Sequence, residues 1–264
     1  MEIIKTLLLG VVEGVTEFLP VSSTGHLILM ERLFTLSGGP GFRETFMIVI
    51  QLPAILAVAL YFRRRLWPFH KGADTRKTCA LWFRIMVAFL PAAALGALFS
   101  DVIERYLFGP TSVAAALVIG GVVILCVEHA KPATRYDNAN DITLQTALCI
   151  GIFQCLSLIP GASRSAATIV GAMLLGANRH AAAEFSFFLA IPTMLGATTF
   201  KIVTSGTALD GREWALIALG GFVSFLTAYL VIAAFMNYIR HRSFRPFGWY
   251  RIGLGVLILL MTFL

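Results

Sequence analysis

Apolar residues run in long blocks along this chain, at 46 to 62, 81 to 100, 111 to 128, 143 to 160, 185 to 200, 214 to 239 and 247 to 264, with polar residues gathered in the gaps. Most blocks approach the roughly 20 residues that a helix needs to cross ~30 Å of hydrocarbon. Hydrocarbon offers no partner for a backbone N–H or C=O, and the period-2 alternation of a membrane barrel is missing, so the blocks read as helices. The pattern predicts an all-α polytopic membrane protein. Composition agrees, since 58% of the 264 residues are hydrophobic and 13% charged, against about 25% charged in an ordinary soluble domain.

Comparing the chain with itself at an offset near 140 gives a match in two limbs, and a repeat of this kind reveals architecture before any motif does. Pro20-Val21-Ser22-Ser23-Thr24 answers Pro160-Gly161-Ala162-Ser163-Arg164-Ser165, each after an apolar stretch that begins near a glycine, Gly10 or Gly151. Phe46 to Pro53 answers Phe185 to Pro192, and the prolines stand 33 residues apart in the first half and 32 in the second. Each half opens with two short helical stretches joined at a Pro-Ser turn, 4 to 19 with 24 to 36, then 143 to 158 with 164 to 176. At ~1.5 Å per residue these are about 18 to 24 Å long, short of a crossing. Each pair therefore reads as a re-entrant hairpin, and irregular backbone at that depth needs protein or a wet cavity around it, so both tips should meet in a polar site. Three full spans follow each hairpin, an odd number, which inverts the second half relative to the first. The expectation is one membrane domain over 1 to 264, an inverted-topology repeat of residues 1 to 130 and 141 to 264, each half a re-entrant hairpin plus three transmembrane helices.

The segment EGVTEFLPVSSTGH, residues 13 to 26, sets Glu13, Glu17, Ser22, Ser23, Thr24 and His26 in apolar surroundings. Ionisable groups at membrane depth are costly and point to function. Glu13 and Glu17 share a helix face at i, i+4 and repel when both are ionised. A divalent ion, an arginine or a shared proton would relieve that. Ser23 and His26, at i, i+3, suit a nucleophile and its base, with direct attack by histidine as the alternative. In the second half, PGASRS at 160 to 165 places Arg164 at a helix start between Ser163 and Ser165. A helix N-terminus and a planar guanidinium both favour an anion such as phosphate. Gln51 is a candidate cavity-lining residue, Glu44 and Glu184 read as helix-start carboxylates, and Pro53 and Pro192 as kinks.

A net charge of +7 raises a nucleic-acid partner, but the basic residues fill gaps between apolar blocks instead of one amphipathic face, so no nucleic acid is expected. Lys5 and the apolar stretch behind it resemble a leader peptide, yet Glu13 and Glu17 interrupt it and no small-residue cleavage site follows, so it reads as mature structure. Cys79, Cys126, Cys149 and Cys155 have no CxxC spacing and read as small buried residues. The densest basic cluster, Arg63, Arg64, Arg65, Lys71, Arg76 and Lys77, is cytoplasmic by the positive-inside rule, which places the N-terminus outside.

With these residues in view, the chain resembles the bacterial undecaprenyl pyrophosphate phosphatases, also called bacitracin-resistance proteins. EGVTEFLPVSSTGH and PGASRS look like that family's two signature segments, and the likeness covers essentially the whole chain, including FMIVIQLPA and AEFSFFLAIP. The resemblance implies removal of the terminal phosphate of undecaprenyl pyrophosphate, which regenerates the lipid carrier of cell-wall synthesis. It also implies a divalent cation and a site opening to the extracytoplasmic side of the bacterial cytoplasmic membrane. Carried over by position, the family's catalytic set falls on Glu13, Glu17, Ser23, His26 and Arg164, with Thr24 and Ser163 close by. Pro53 departs from the glycine often found after Gln-Leu. The residue chemistry is compatible with this. Glu13 and Glu17 would hold Mg2+ or Ca2+, Ser23 would attack with His26 as base, and Arg164 with Ser22, Thr24, Ser163, Ser165 and Gln51 would bind a polyprenyl pyrophosphate whose tail stays among membrane lipids. A transporter or flippase of polyprenyl phosphate is the main alternative, because inverted repeats are common in transport. A scaffold does not explain so many buried polar groups, and a homo-oligomer is left open.

Overall fold

The computed structural model describes residues 1–39, 41–69, 72, 74–107, 109–205 and 209–263. The backbone among them is overwhelmingly helical, with an isolated bridge between Tyr136 and Ala177 as its β contact. The first hairpin is α1 (Glu2–Thr16) and α2 (Ser23–Leu33). Next come α3 (Phe42–Val49) and α4 (Gln51–Tyr61), a short turn α5 (Arg63–Leu66), α6 (Thr75–Leu107) and α7 (Pro110–Ala130). The second hairpin is α8 (Leu144–Gln154), prolonged by a 3-10 turn over Cys155–Leu158, and α9 (Arg164–Leu174). The chain ends in α10 (Arg179–Ser205), α11 (Gly211–Tyr238) and α12 (Arg245–Phe263).

Among the described residues five segments are long and apolar enough to cross a bilayer: Phe42–Tyr61, Thr75–Phe99, Pro110–Ala130, Arg179–Val203 and Gly211–Tyr238. The sequence blocks predict a sixth at 247 to 264. The chain does form α12 there, Arg245–Phe263, but that helix is not one of the five. The faces turned outward are apolar, with Leu98 74%, Leu230 68%, Ile119 63% and Phe222 60% exposed. That is a liability in water and the natural surface of a protein in lipid. The two prolines differ. Pro53 stands three residues into α4, and its ring opposes the carbonyl four residues back, that of Val49, where α3 stops. Pro192 lies inside an unbroken α10.

The first arm of each hairpin packs mainly on the other half. α1 runs against α11, and α8 against α6; α12 lies along α7, and α10 meets α4, α6 and α9. Glycine allows the closest of these contacts. A Cβ on Gly10 would stand 2.5 Å from the Gly220 carbonyl oxygen, and one on Gly151 2.1 Å from that of Ala88, so backbone touches backbone at both. Buried aromatics fill the centre below the tips, where Phe18 meets Phe187 edge-on at 5.4 Å and Phe62 meets Phe188 at 5.1 Å. The tips are thereby held against a rigid floor.

Candidate active site

Both tips turn in the same way. Ser22 caps α2 at φ 71°, ψ 101°, its Oγ accepting from Gly25 N–H at 3.4 Å. Ser163 caps α9 at φ 70°, ψ 117°, its Oγ accepting from Ala166 N–H at 3.3 Å. A positive φ is strained in a residue with a Cβ, on the order of 1–3 kcal/mol, and such strain clusters at functional sites. The geometry puts Ser23 and Arg164 at the first position of their helices, where the leading N–H groups have no acceptor in the helix and favour an anion.

Glu17 joins the two. Ser23 Oγ donates to Glu17 Oε2 at 2.8 Å, and Arg164 Nη2 donates to Glu17 Oε1 at 3.2 Å. The Glu17 and Arg164 side chains are only 9% and 8% exposed. Arg164 Nη1 is anchored on the Ser186 carbonyl at 3.0 Å, its Cζ lies 5.9 Å over the Phe18 ring, and its Nε N–H has no partner. A buried guanidinium whose Nε donor is unused among the described residues is poised for a further acceptor. Ser165 ties the tips directly, donating to the Leu19 carbonyl at 2.8 Å while lying 3.1 Å from Ser163 Oγ. Glu13 is completely buried beside Glu17, its carboxyl lying against that of Glu17 and taking no hydrogen bond from any other described residue.

Ser23 and His26, paired by their spacing, do not bond to each other in this arrangement. Ser23 turns to Glu17, while His26 Nδ1 lies 2.7 Å from the Ser22 carbonyl and Nε2 lies 2.7 Å from Tyr250 Oη. A carbonyl only accepts, so Nδ1 carries a proton and donates to Ser22, while Nε2 shares a hydrogen bond with the Tyr250 hydroxyl. The physical reason is the Ser22 turn, whose carbonyl points along the helix at the residue four positions on. Thr24 stands half-buried in the first turn of α2. Gln51 opens α4 and does not join the hydrogen bonds of this cluster among the described residues. Glu44 does lie in the first turn of α3, pairing with Lys201 at 3.2 Å, and Glu184 is buried in an ion pair with Arg65.

Sequence reasoning missed Tyr250, Arg251 and Ser186. The Tyr250 ring stacks on His26 with centroids 5.6 Å apart and planes at 8°, and Arg251 reaches both tips from the same helix. The signal for Arg251 was in plain view, an arginine within an apolar block. For Tyr250 there was none, since it stands 224 positions from His26.

The implied divalent cation was weighed against these side chains. Among the described residues no three His, Cys, Asp or Glu gather as a metal site. Yet the buried, otherwise unpartnered Glu13 carboxylate next to that of Glu17 suits a hard cation that takes one or two carboxylates and fills its shell with water and phosphate oxygens. The residues fit such an ion.

Hydroxyl, carboxylate and guanidinium are thus bonded in series where two short hairpins meet, inside a multi-pass helical membrane protein. That is the class of an intramembrane protein that handles an anionic group. The chain belongs to the family of the bacitracin resistance protein BacA, whose model matches residues 6–257. It is similar to undecaprenyl-diphosphatase 1 of Clostridioides difficile (strain 630), 45% identical over 267 residues, covering 100% of this chain and 97% of that one. Undecaprenyl-diphosphatases of Enterococcus faecalis and of Rhodopseudomonas palustris (strain BisA53) are 45% and 47% identical, covering 99% and 97% of this chain and 98% and 96% of their own.

Proposed function

We propose that this chain hydrolyses undecaprenyl diphosphate to undecaprenyl phosphate and inorganic phosphate, recycling the lipid carrier for cell-wall synthesis, with Ser23 as nucleophile and Glu17 as its base. The observation that carries the roles is the unbroken chain of hydrogen bonds from Ser23 through Glu17 to Arg164. Arg164 and the two helix starts receive the terminal phosphate. Ser23 Oγ attacks phosphorus, its proton passes to Glu17, and the bond to the bridging oxygen breaks as the lipid monophosphate leaves. Water then attacks the phosphoserine, the P–Oγ bond breaks, and Ser23 regains its proton as orthophosphate departs. A divalent cation held by Glu13 and Glu17 would neutralise diphosphate charge, and a shell of two carboxylates suits Mg2+ more than Ca2+. His26, held by Ser22 and Tyr250, orients the first tip.

The inverted repeat belongs to this reading and has specific support. Exchanging the halves turns the α1 and α11 contact into that of α8 and α6, and the α7 and α9 contact into that of α12 and α2; all four are present. The positive-inside rule puts the N-terminus outside. Alternating the spans from there assigns residues 36–46 and 201–213 outside and residues 63–77, 128–135 and 179–184 inside, and the polar ties agree with that grouping. Gly39 with Glu213 and Glu44 with Lys201 join residues assigned outside, whereas Arg65 with Glu184 and Arg179 with Glu128 join residues assigned inside. The first hairpin then opens to the extracytoplasmic side. A flippase would use Arg164 but has no need of a hydroxyl bonded to a carboxylate. Phosphate release from undecaprenyl diphosphate by the purified protein in detergent, lost in Ser23→Ala, is the expected result. No release by wild type, or full release by folded Ser23→Ala, would refute it.

A further inference from the structure

Arg251 is 0% exposed, and among the described residues none of its partners is a carboxylate. Its hydrogen bonds go to backbone carbonyls. Nη2 shares its hydrogens among Ala116 at 3.2 Å, Gly161 at 3.1 Å and Ala162 at 3.0 Å, and Nη1 reaches Pro20 at 3.4 Å. Those oxygens belong to three separate pieces of chain. Pro20 is in the first tip just before the capping Ser22, Gly161 and Ala162 are in the second just before the capping Ser163, and Ala116 is on α7. A planar fork of five donors can bridge such a set, and a lysine cannot.

The structure also reserves the space. A Cβ on Gly120 of α7 would stand 2.3 Å from Arg251 Nη2 and 2.9 Å from its Cζ. A glycine inside a helix is unfavourable on its own account, so the socket is kept open for the guanidinium.

We infer that Arg251 is a positioning residue that clamps the two hairpin tips at one separation and thereby sets Ser23 and Glu17 against Arg164. The inference rests on the phosphatase reading of those three residues. The other ties between the tips are the Ser165 bond to Leu19 and the Glu17 pair with Arg164. In that reading Arg164 turns toward phosphate and Glu17 takes a proton, so their pairing changes during turnover. Among the described residues Arg251 hydrogen-bonds only to backbone carbonyls, and it holds the tips through that change.

Two substitutions probe the clamp from opposite sides, Arg251→Lys and Gly120→Ala. The second leaves Arg251 and both tips intact, improves helix propensity and pushes the guanidinium off its carbonyls. Gly253→Ala on α12, where a Cβ meets nothing within 4 Å, is the control. Hydrogen exchange by mass spectrometry over residues 18–25 and 159–166, melting temperature, and kcat with KM for phosphate release are measured on each. Gly120→Ala and Arg251→Lys should both speed exchange at both tips. Each should lower kcat about 10- to 100-fold, with KM changed by less than about threefold. The double variant should fall little below either single one. Folded Gly120→Ala with wild-type tip exchange and wild-type kcat would overturn the clamp, as would a lowered melting temperature with unchanged kcat per folded molecule. If wild type releases no phosphate, the hydrolase reading fails, and tip exchange alone still decides whether the clamp exists.

Discussion

Glu17→Gln tests the site at the point where its contacts converge. The carboxamide has the same shape but one acceptor in place of two, while the structure asks both Glu17 oxygens to accept, one from Ser23 at 2.8 Å and one from Arg164 at 3.2 Å. Its oxygen can serve Arg164 only if its NH2 faces the serine, and an amide cannot take the serine proton. Loss of a positioned base lowers rate by about 10^2- to 10^4-fold, equivalent to roughly 2.7–5.4 kcal/mol in the barrier. Stability should fall by less than the ~3–5 kcal/mol of a broken buried pair, because Glu13 still lies near Arg164. A loss of about 1.5–3 kcal/mol, one charge-assisted hydrogen bond, is expected. Phosphate release from undecaprenyl diphosphate in detergent gives kcat, and circular dichroism melting of the same sample gives stability. A folded Gln variant that keeps more than about a third of wild-type kcat, a deficit far below general-base loss, would refute Glu17 as the base.

Tyr250→Phe keeps the stack on His26 but removes its hydroxyl; kcat should fall while stability from thermal melting stays within the ~0.5 kcal/mol typical of surface changes, and an unchanged kcat would remove Tyr250 from the site. Chelation should abolish phosphate release and added Mg2+ restore it, with Glu13→Gln raising the Mg2+ concentration needed for half activity; full activity of metal-stripped wild type would end the cation proposal. In a cysteine-free background, an impermeant thiol reagent on whole cells should label Gly211→Cys and spare Asp74→Cys, both exposed positions, and the reverse pattern would invert the topology.

The helical membrane class and the two tips were legible in the sequence because their causes are local. Hydrocarbon forces every backbone group into a helix, so a block of apolar residues declares itself. A serine before a helix start caps it through a local bond, so the two Pro-Ser turns were legible, although α2 starts at Ser23 with Ser22 as its cap, one residue before the expected start at 24. Pro53 was readable as a kink, since its ring and missing N–H disturb the turn before it, but only the structure shows that the helix stops there and that α10 runs on unbroken through Pro192. The polar residues that cannot be afforded in lipid, Glu13, Glu17 and Arg164, announced a site by their mere presence.

Which of them touch was not local, and there the tertiary structure decided. Spacing along one helix suggested Ser23 with His26, but a hydroxyl bonds to whatever acceptor the neighbouring helix brings within reach, and α1 brings Glu17 to 2.8 Å. His26 was claimed instead by Tyr250, and both tips by Arg251, through the packing of α12 along α7. The sequence by itself thus determined the solvent of this protein, its helices and the chemistry it carries into the bilayer. Packing across long separations chose the partners, because side-chain hydrogen bonds reach about 3 Å, and only the assembled helices set distances that fine.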